Sequence, residues 1–212
     1  MTRTRVVVID SGIDAHHPAL RSHPVIVGPT FAGNGPLASS ENGDDLLGHG
    51  TAVAATIVRF LQKDAAVELV ALRVFDRTPT CDFAAVLQAL RHALTLRPAL
   101  VNLSLGTTSL RYRRELAAIV DAAAAQSTRL VAPISYGGLP CDPGALPGVE
   151  AVVGDPNVLP MVPELRSHHG RWIWFASPLP PPDADGVRRL LARGDSLAVA
   201  AVTGCLLRSL PA

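Results

Sequence analysis

Short runs of unbroken apolar residues alternate along this chain with longer stretches in which apolar positions recur every three or four residues. Val6-Val7-Val8-Ile9 is a continuous β-branched run, the mark of a strand buried on both faces of a parallel sheet. Val25 to Val27, Val67 to Val74, Leu100 to Leu105, Arg129 to Ala132, Val149 to Val153 and Trp172 to Ala176 read as further strands. Ala52 to Leu61 carries no helix breaker, and Phe83, Val86, Leu87, Leu90 and Leu94 form one face of a helix that Pro98 ends. Leu116, Ile119, Val120 and Ala123 mark a third helix, and an Ala-rich fourth runs from about Ser196 to Leu210. Residues Phe31 to Leu47, rich in Gly, Asn, Asp and Ser, read as a long surface loop, and Ser177 to Pro182 as a proline-rich one. Strand and helix in alternation predict an α/β fold, a mostly parallel twisted sheet with helices on both faces.

Composition narrows the picture mainly by exclusion. The 212 residues suit a single domain, 1–212, with one full hydrophobic core. The net charge is +1, and its positive side is Lys63 plus eighteen arginines with no basic run. That leaves no footprint for nucleic acid or for an anionic membrane surface. No apolar run reaches the length of a membrane span, and the four apolar residues after Arg5 are too few for a signal-peptide core. Cys81, Cys141 and Cys205 are odd in number and lack metal-type spacing, so a reduced, cytoplasmic chain is expected. Cys205 reads as a small core residue. His168 and His169 are adjacent and expected to point apart, which gives a metal no pair of ligands. Glu41, Asp44 and Asp45 read as a solvated acidic loop and not a calcium site. Neither metal nor cofactor is expected.

Candidate chemistry sits at strand ends and helix starts, where open α/β sheets gather function. Asp10 ends the first strand, His49 opens a helix within Gly48-His49-Gly50-Thr51, and Ser196 opens the last helix after Gly194-Asp195. Taken alone, a Gly-x-Ser turn before a helix is a serine cap. The same position also sets a hydroxyl where unpartnered N–H groups and the helix dipole favour negative charge. A serine becomes a nucleophile when a base takes its proton, and an imidazole base works when a carboxylate fixes its tautomer. Asp10, His49 and Ser196 supply all three parts if the fold brings them together.

The residues around these three carry a family resemblance. Asp10-Ser11-Gly12-Ile13-Asp14-Ala15-His16-His17-Pro18 resembles the aspartate motif of the subtilisin-like serine proteases, and Gly48-His49-Gly50-Thr51-Ala52-Val53-Ala54 resembles their histidine motif. Gly194-Asp195-Ser196-Leu197-Ala198 is similar to the serine motif, usually Gly-Thr-Ser-Met-Ala, and Val101-Asn102-Leu103-Ser104-Leu105-Gly106 to the substrate-binding strand. Four motifs stand in the family's order from Arg5 to about Leu210. The resemblance implies a three-layer α/β fold and acyl transfer through a covalent serine intermediate. It assigns attack to Ser196, general base and acid to His49, and orientation of His49 to Asp10. The edge Ser104-Leu105-Gly106 would bind a peptide or protein substrate by strand addition, with maturation of one dedicated peptide as a suitable task. Asn102 and Ser104 are then placed to support the site from behind. Such a chain, starting at its first core strand and ending with the serine helix, reads as a minimal member without a propeptide.

Departures from the family pattern gather at the oxyanion hole. The family's Ala-Ala-Gly-Asn stretch, whose Asn donates to the oxyanion, is here Ala132-Pro133-Ile134-Ser135-Tyr136, with Tyr136 as the candidate in its place. Two roles are open to Tyr136, a hydroxyl donor or a ring that fills the pocket mouth. Asp195 replaces the usual Thr, and an ionised carboxylate there would oppose a developing oxyanion. Ala52 and Ala200-Ala201 replace a His and a Pro-His pair, which bears on packing. Trp172 and Trp174 share one face of a strand and read as core or pocket wall. Two functions follow: a serine endopeptidase of restricted specificity, or a pseudo-protease that grips an extended peptide without cutting it.

Overall fold

The computed structural model describes residues 3–32, 35–37, 45–180 and 194–210. Glu41 and Asp44 of the acidic loop, and the last two prolines of the stretch ending at Pro182, lie outside the described residues.

Strand β1, Thr4–Asp10, occupies the middle of the sheet. Its neighbours are β4, Val67–Arg73, and β5, Leu100–Leu103, both parallel to it. Beyond β4 come β2, Val25–Ala32, and the short edge strand β3, Gly35–Leu37, which is antiparallel. Beyond β5 come β6, Arg129–Pro133, β9, Glu150–Gly154, and β11, Arg171–Ala176, all parallel. An antiparallel edge strand, β10, Glu164–His168, closes that side. A separate hairpin pairs β7, Ser135–Tyr136, with β8, Leu139–Pro140.

Both faces of the sheet are covered, which is why β1 is apolar at every position from Val6 to Ile9. Val6 and Val8 point to the layer of α1, His49–Val58, and α4, Asp195–Arg208. Val7 and Ile9 point to the layer of α2, Phe83–Thr95, and α3, Arg113–Ala125. The two helix layers differ in kind. Residues Gly50 to Val58 of α1 and Leu197 to Gly204 of α4 are all buried, as expected of helices apolar all round. Helices α2 and α3 keep a polar face in solvent.

The loop expected over Phe31 to Leu47 gives way at its start. Phe31 is 5% exposed and packs into the α2 layer, so β2 runs on to Ala32 and the strand at residues 35–37 pairs back onto it. Strand β10 was not expected because its sequence, Glu-Leu-Arg-Ser-His, is a polar edge. The β7–β8 hairpin had a signal that went unread, Gly137-Gly138, both at positive φ between two short strands. His168 and His169 do not point apart; their rings meet edge-on with centroids 4.3 Å apart. Trp174 is half-buried and donates to Glu150 Oε2 at 2.8 Å, whereas Trp172 is 65% exposed and lies outside the core.

Helices α1 and α4 cross tightly enough that Gly204 has no room for a side chain. A Cβ there would lie 2.7 Å from the Ile57 carbonyl oxygen and 2.9 Å from Phe60 Cβ. Gly204→Ala gains roughly 1 kcal/mol of helix propensity, but overpacking a close helix crossing costs about 1–3 kcal/mol. The expected result in a thermal melt is a fall in Tm of a few degrees. An unchanged or raised Tm would show that the crossing yields.

Candidate active site

Strand register sets the site's first relationship. Ile9 of β1 stands opposite Leu103 of β5, so the residues that follow, Asp10 and Ser104, leave the sheet side by side. Asp10 is 1% exposed. Its Oδ1 accepts from the Ser11 backbone N–H at 2.7 Å and from His49 Nδ1 at 2.7 Å. Among the described residues its Oδ2 has no hydrogen-bond partner.

His49 reaches Asp10 because of the glycine that follows it. A Cβ on Gly50 would collide with the Gly12 carbonyl and lie 3.1 Å from Asp10 Cβ. Only a glycine lets the first turn of α1 rest on the turn after β1. Asp45 then fastens the helix start. Its Oδ2 accepts from the Thr51 N–H at 2.7 Å, and its Oδ1 from the Gly48 N–H at 2.9 Å and the Ser11 hydroxyl at 2.7 Å. Ser11 Oγ lies further from Asp10 Oδ1, at 3.2 Å, and accepts from the Gly50 N–H at 3.0 Å. One hydroxyl has one proton, so Ser11 gives it to the shorter contact and ties the aspartate turn to the histidine loop. Asp45 is therefore not the solvated loop residue expected from its acidic neighbours; its signal in the sequence is its place three residues before Gly48, the N-cap of a helix that has no side-chain cap of its own.

The His49 pKa is raised above its ordinary value. The hydrogen bond to Asp10 is the leading cause, burial works against it, and the charges of Asp10 and Asp45 add to it. An imidazolium facing two carboxylates is favoured over neutral imidazole.

Ser196 lines the same cleft as His49. It is the second residue of α4, after Gly194, whose φ of 123° is one that side-chain-bearing residues rarely adopt. The first turn presents backbone N–H groups without intrahelical partners. The Ser196 hydroxyl donates to the Ser104 carbonyl at 3.2 Å, and among the described residues no hydrogen bond joins it to His49. Both side chains line one cleft of about 810 Å³, together with Ser104, Leu105, Gly106 and Tyr136. Its remaining walls are largely apolar, among them Leu47, Phe75, Phe83 and Val86.

Cys81 and Cys141 also line this cleft, and burial pushes both thiols up to about 11. At neutral pH they are thiols and not thiolates, which leaves them poor nucleophiles. Cys141 instead donates to the Pro133 carbonyl at 3.2 Å. Asp195 is an exposed residue whose carboxylate lies against Gly154 at the end of β9 and accepts its backbone N–H. Desolvation raises its pKa, and that hydrogen bond opposes the rise. Tyr136 is 76% exposed on the hairpin at the cleft's rim, across from an equally bare Leu139. Cys205, read as core, packs against the α1–α4 cluster while keeping some exposure.

A family model described as the subtilase family matches residues 2–137. A thermostable alkaline protease from Halalkalibacterium halodurans is 35% identical over 119 residues, covering 53% of this chain and 30% of that protein. The chain therefore spans under a third of that curated relative's length. Among solved structures, a cold adapted subtilisin-like serine proteinase superposes with a TM-score of 0.69 at 19% identity, over 96% of this chain and 73% of its own. A lanthipeptide protease gives 0.68 at 20%, over 96% and 72%. The prenylagaramide maturation protease PagA gives 0.63 at 18%, over 97% and 74%. These likenesses establish the three-layer fold through α4. The family match covers the aspartate and histidine motifs and ends before Ser196. With that match running over more than half of its residues, this chain belongs to the subtilase family.

Proposed function

We propose that this chain is a serine endopeptidase acting on a peptide or protein substrate, with Ser196 as nucleophile, His49 as general base and acid, and Asp10 as the orienting carboxylate. The observation that carries the reading is the 2.7 Å Asp10–His49 hydrogen bond beside a cleft that His49 lines together with Ser196, which sits on a helix N-terminus. In the reaction, the Ser196 hydroxyl turns from Ser104 toward His49 Nε2 and gives up its proton as Oγ attacks the scissile carbonyl carbon. The carbonyl π pair moves to oxygen, stabilised by N–H groups of the first turn of α4. Collapse expels the amine, which takes the proton from His49, and water then hydrolyses the acyl-enzyme by the same relay. No cofactor is needed.

The chain's residues 1–212 act in this reading as one catalytic domain. Ser104, Leu105 and Gly106 lead from the end of β5 along the cleft and offer an edge for an extended substrate. Apolar walls and a rim of Tyr136 suit a restricted peptide better than a broad diet. Two of the structural relatives are a maturation protease and a lanthipeptide protease, and a dedicated peptide is the finer form of the proposal. Tyr136 remains the side-chain candidate for the oxyanion hole, although its exposure favours the role of rim. Three unpaired cysteines support a cytoplasmic setting.

The Ser196–Ser104 hydrogen bond favours a second reading, in which the fold grips a peptide without cutting it. A fluorophosphonate probe separates the two. Labelling that is lost in Ser196→Ala supports the enzyme, and no labelling between pH 5 and 9 leaves the gripping fold.

Two further outcomes follow from the electrostatics. His49 must be neutral to act as base, and its folded pKa is raised above about 6.5. Labelling should therefore climb with pH through a midpoint above that value. The stabilising His49⁺–Asp10⁻ pair runs the opposite way: complete below about pH 6.5 and lost as pH rises through the folded pKa. Asp10→Asn should lower the midpoint and cut the rate by up to about 10⁴-fold; a midpoint that stays put would remove Asp10 as the cause. Asp195→Thr should raise the labelling rate at neutral pH by about five- to tenfold, the worth of one screened like charge beside the oxyanion. An unchanged rate would mean that the carboxylate is held harmlessly at Gly154.

A further inference from the structure

Helix α4 is tied to β5 by one continuous run of side-chain hydrogen bonds through the core. Asn102 of β5, fully buried, is its centre. Thr203 Oγ1, two turns along α4 from Ser196, donates to Asn102 Oδ1 at 2.8 Å. Asn102 Nδ2 donates to Ser104 Oγ at 3.0 Å, and Ser104 Oγ donates to the Ser196 carbonyl at 3.1 Å. Direction matters, because each hydroxyl has one proton. With Nδ2 facing Ser104, the Ser104 proton is free for Ser196. With the amide reversed, its oxygen would take that proton and release Ser196. The Thr203 hydroxyl has two acceptors in reach, Asn102 Oδ1 at 2.8 Å and the Val199 carbonyl at 3.0 Å, and the shorter contact is the one that goes with Nδ2 facing Ser104.

A second observation says why the start of α4 needs this hold. Its N-cap is Gly194, which supplies no side-chain hydrogen bond. We infer that Asn102 and Ser104 are positioning residues that fix the first turn of α4, and Ser196 with it, at the end of β5, the strand next to the one that ends in Asp10. Thr203 partners the other side of the same amide. The inference rests on Ser196 being the nucleophile proposed above.

Ser104→Ala removes the link and Ser104→Thr keeps its hydroxyl. In the full chain, amide hydrogen exchange over residues 195–199 should quicken about five- to tenfold in Ser104→Ala, while exchange over 203–208 and in β1 stays as before. Fluorophosphonate labelling should slow at saturation with little change in half-saturating probe concentration, and Ser104→Thr, which keeps the hydroxyl, should return exchange over 195–199 to the parent's rate. If Ser104→Ala does not fold, Thr203→Val tests the run from its other end and should loosen the same turn. Unchanged exchange at 195–199, or equal acceleration along all of α4, would overturn the inference. Exchange needs no catalysis. A parent chain that never labels, yet shows the local loosening in Ser104→Ala, would sink the endopeptidase reading and leave the positioning role standing.

Discussion

The hydrogen bond between Asp10 and His49 joins residues 39 apart in sequence and constrains much of what surrounds it. For it to form, β1 must end level with the start of α1, and α1 must come closer than side chains ordinarily permit. Gly50 removes the obstruction, Asp45 holds the helix start, and Ser11 links Asp45 to the aspartate turn. Each contact is ordinary alone. Together they set an imidazole on the Asp10 carboxylate, within the field of the Asp45 charge, and raise its affinity for a proton.

The Ser196 part of the cleft is held differently. The aspartate and histidine elements are joined through loops, whereas α4 is pinned to β5 through the sheet's own interior. A polar run of Thr203, Asn102, Ser104 and Ser196 lies in an otherwise apolar layer. Buried polar groups cost stability unless each finds a partner. Here the oxygen and the nitrogen of the Asn102 amide each have a partner, which specifies one placement of the helix against the strand where apolar packing alone would tolerate sliding.

Much of the fold was legible because the central strands are buried on both sides. Val6 to Ile9 had to be apolar throughout, and that pattern needs helices on both faces of the sheet. Edges were harder to read. Strand β10 is polar, β3 follows a Gly-rich stretch, and Trp172 is bare; at an edge, solvent replaces a packing partner and the apolar signal fades. Asp45 was misread for a related reason, since an acidic residue in a loop looks solvated until the helix it caps is in place.

Sequence by itself determined the strand–helix order, the glycines that bracket His49 and the one that precedes the Ser196 turn, and the three residues with complementary chemistry. These are local matters of backbone freedom and side-chain type. Only the tertiary structure decided how they meet. It set Asp10 against His49 through parallel register and a side-chain-free approach. It directed the Ser196 hydroxyl to the Ser104 carbonyl, set Tyr136 at the rim, and laid the Asp195 carboxylate on Gly154. Those outcomes depend on which proton, lone pair or void lies nearest in space, and the distance along the chain carries no information about that.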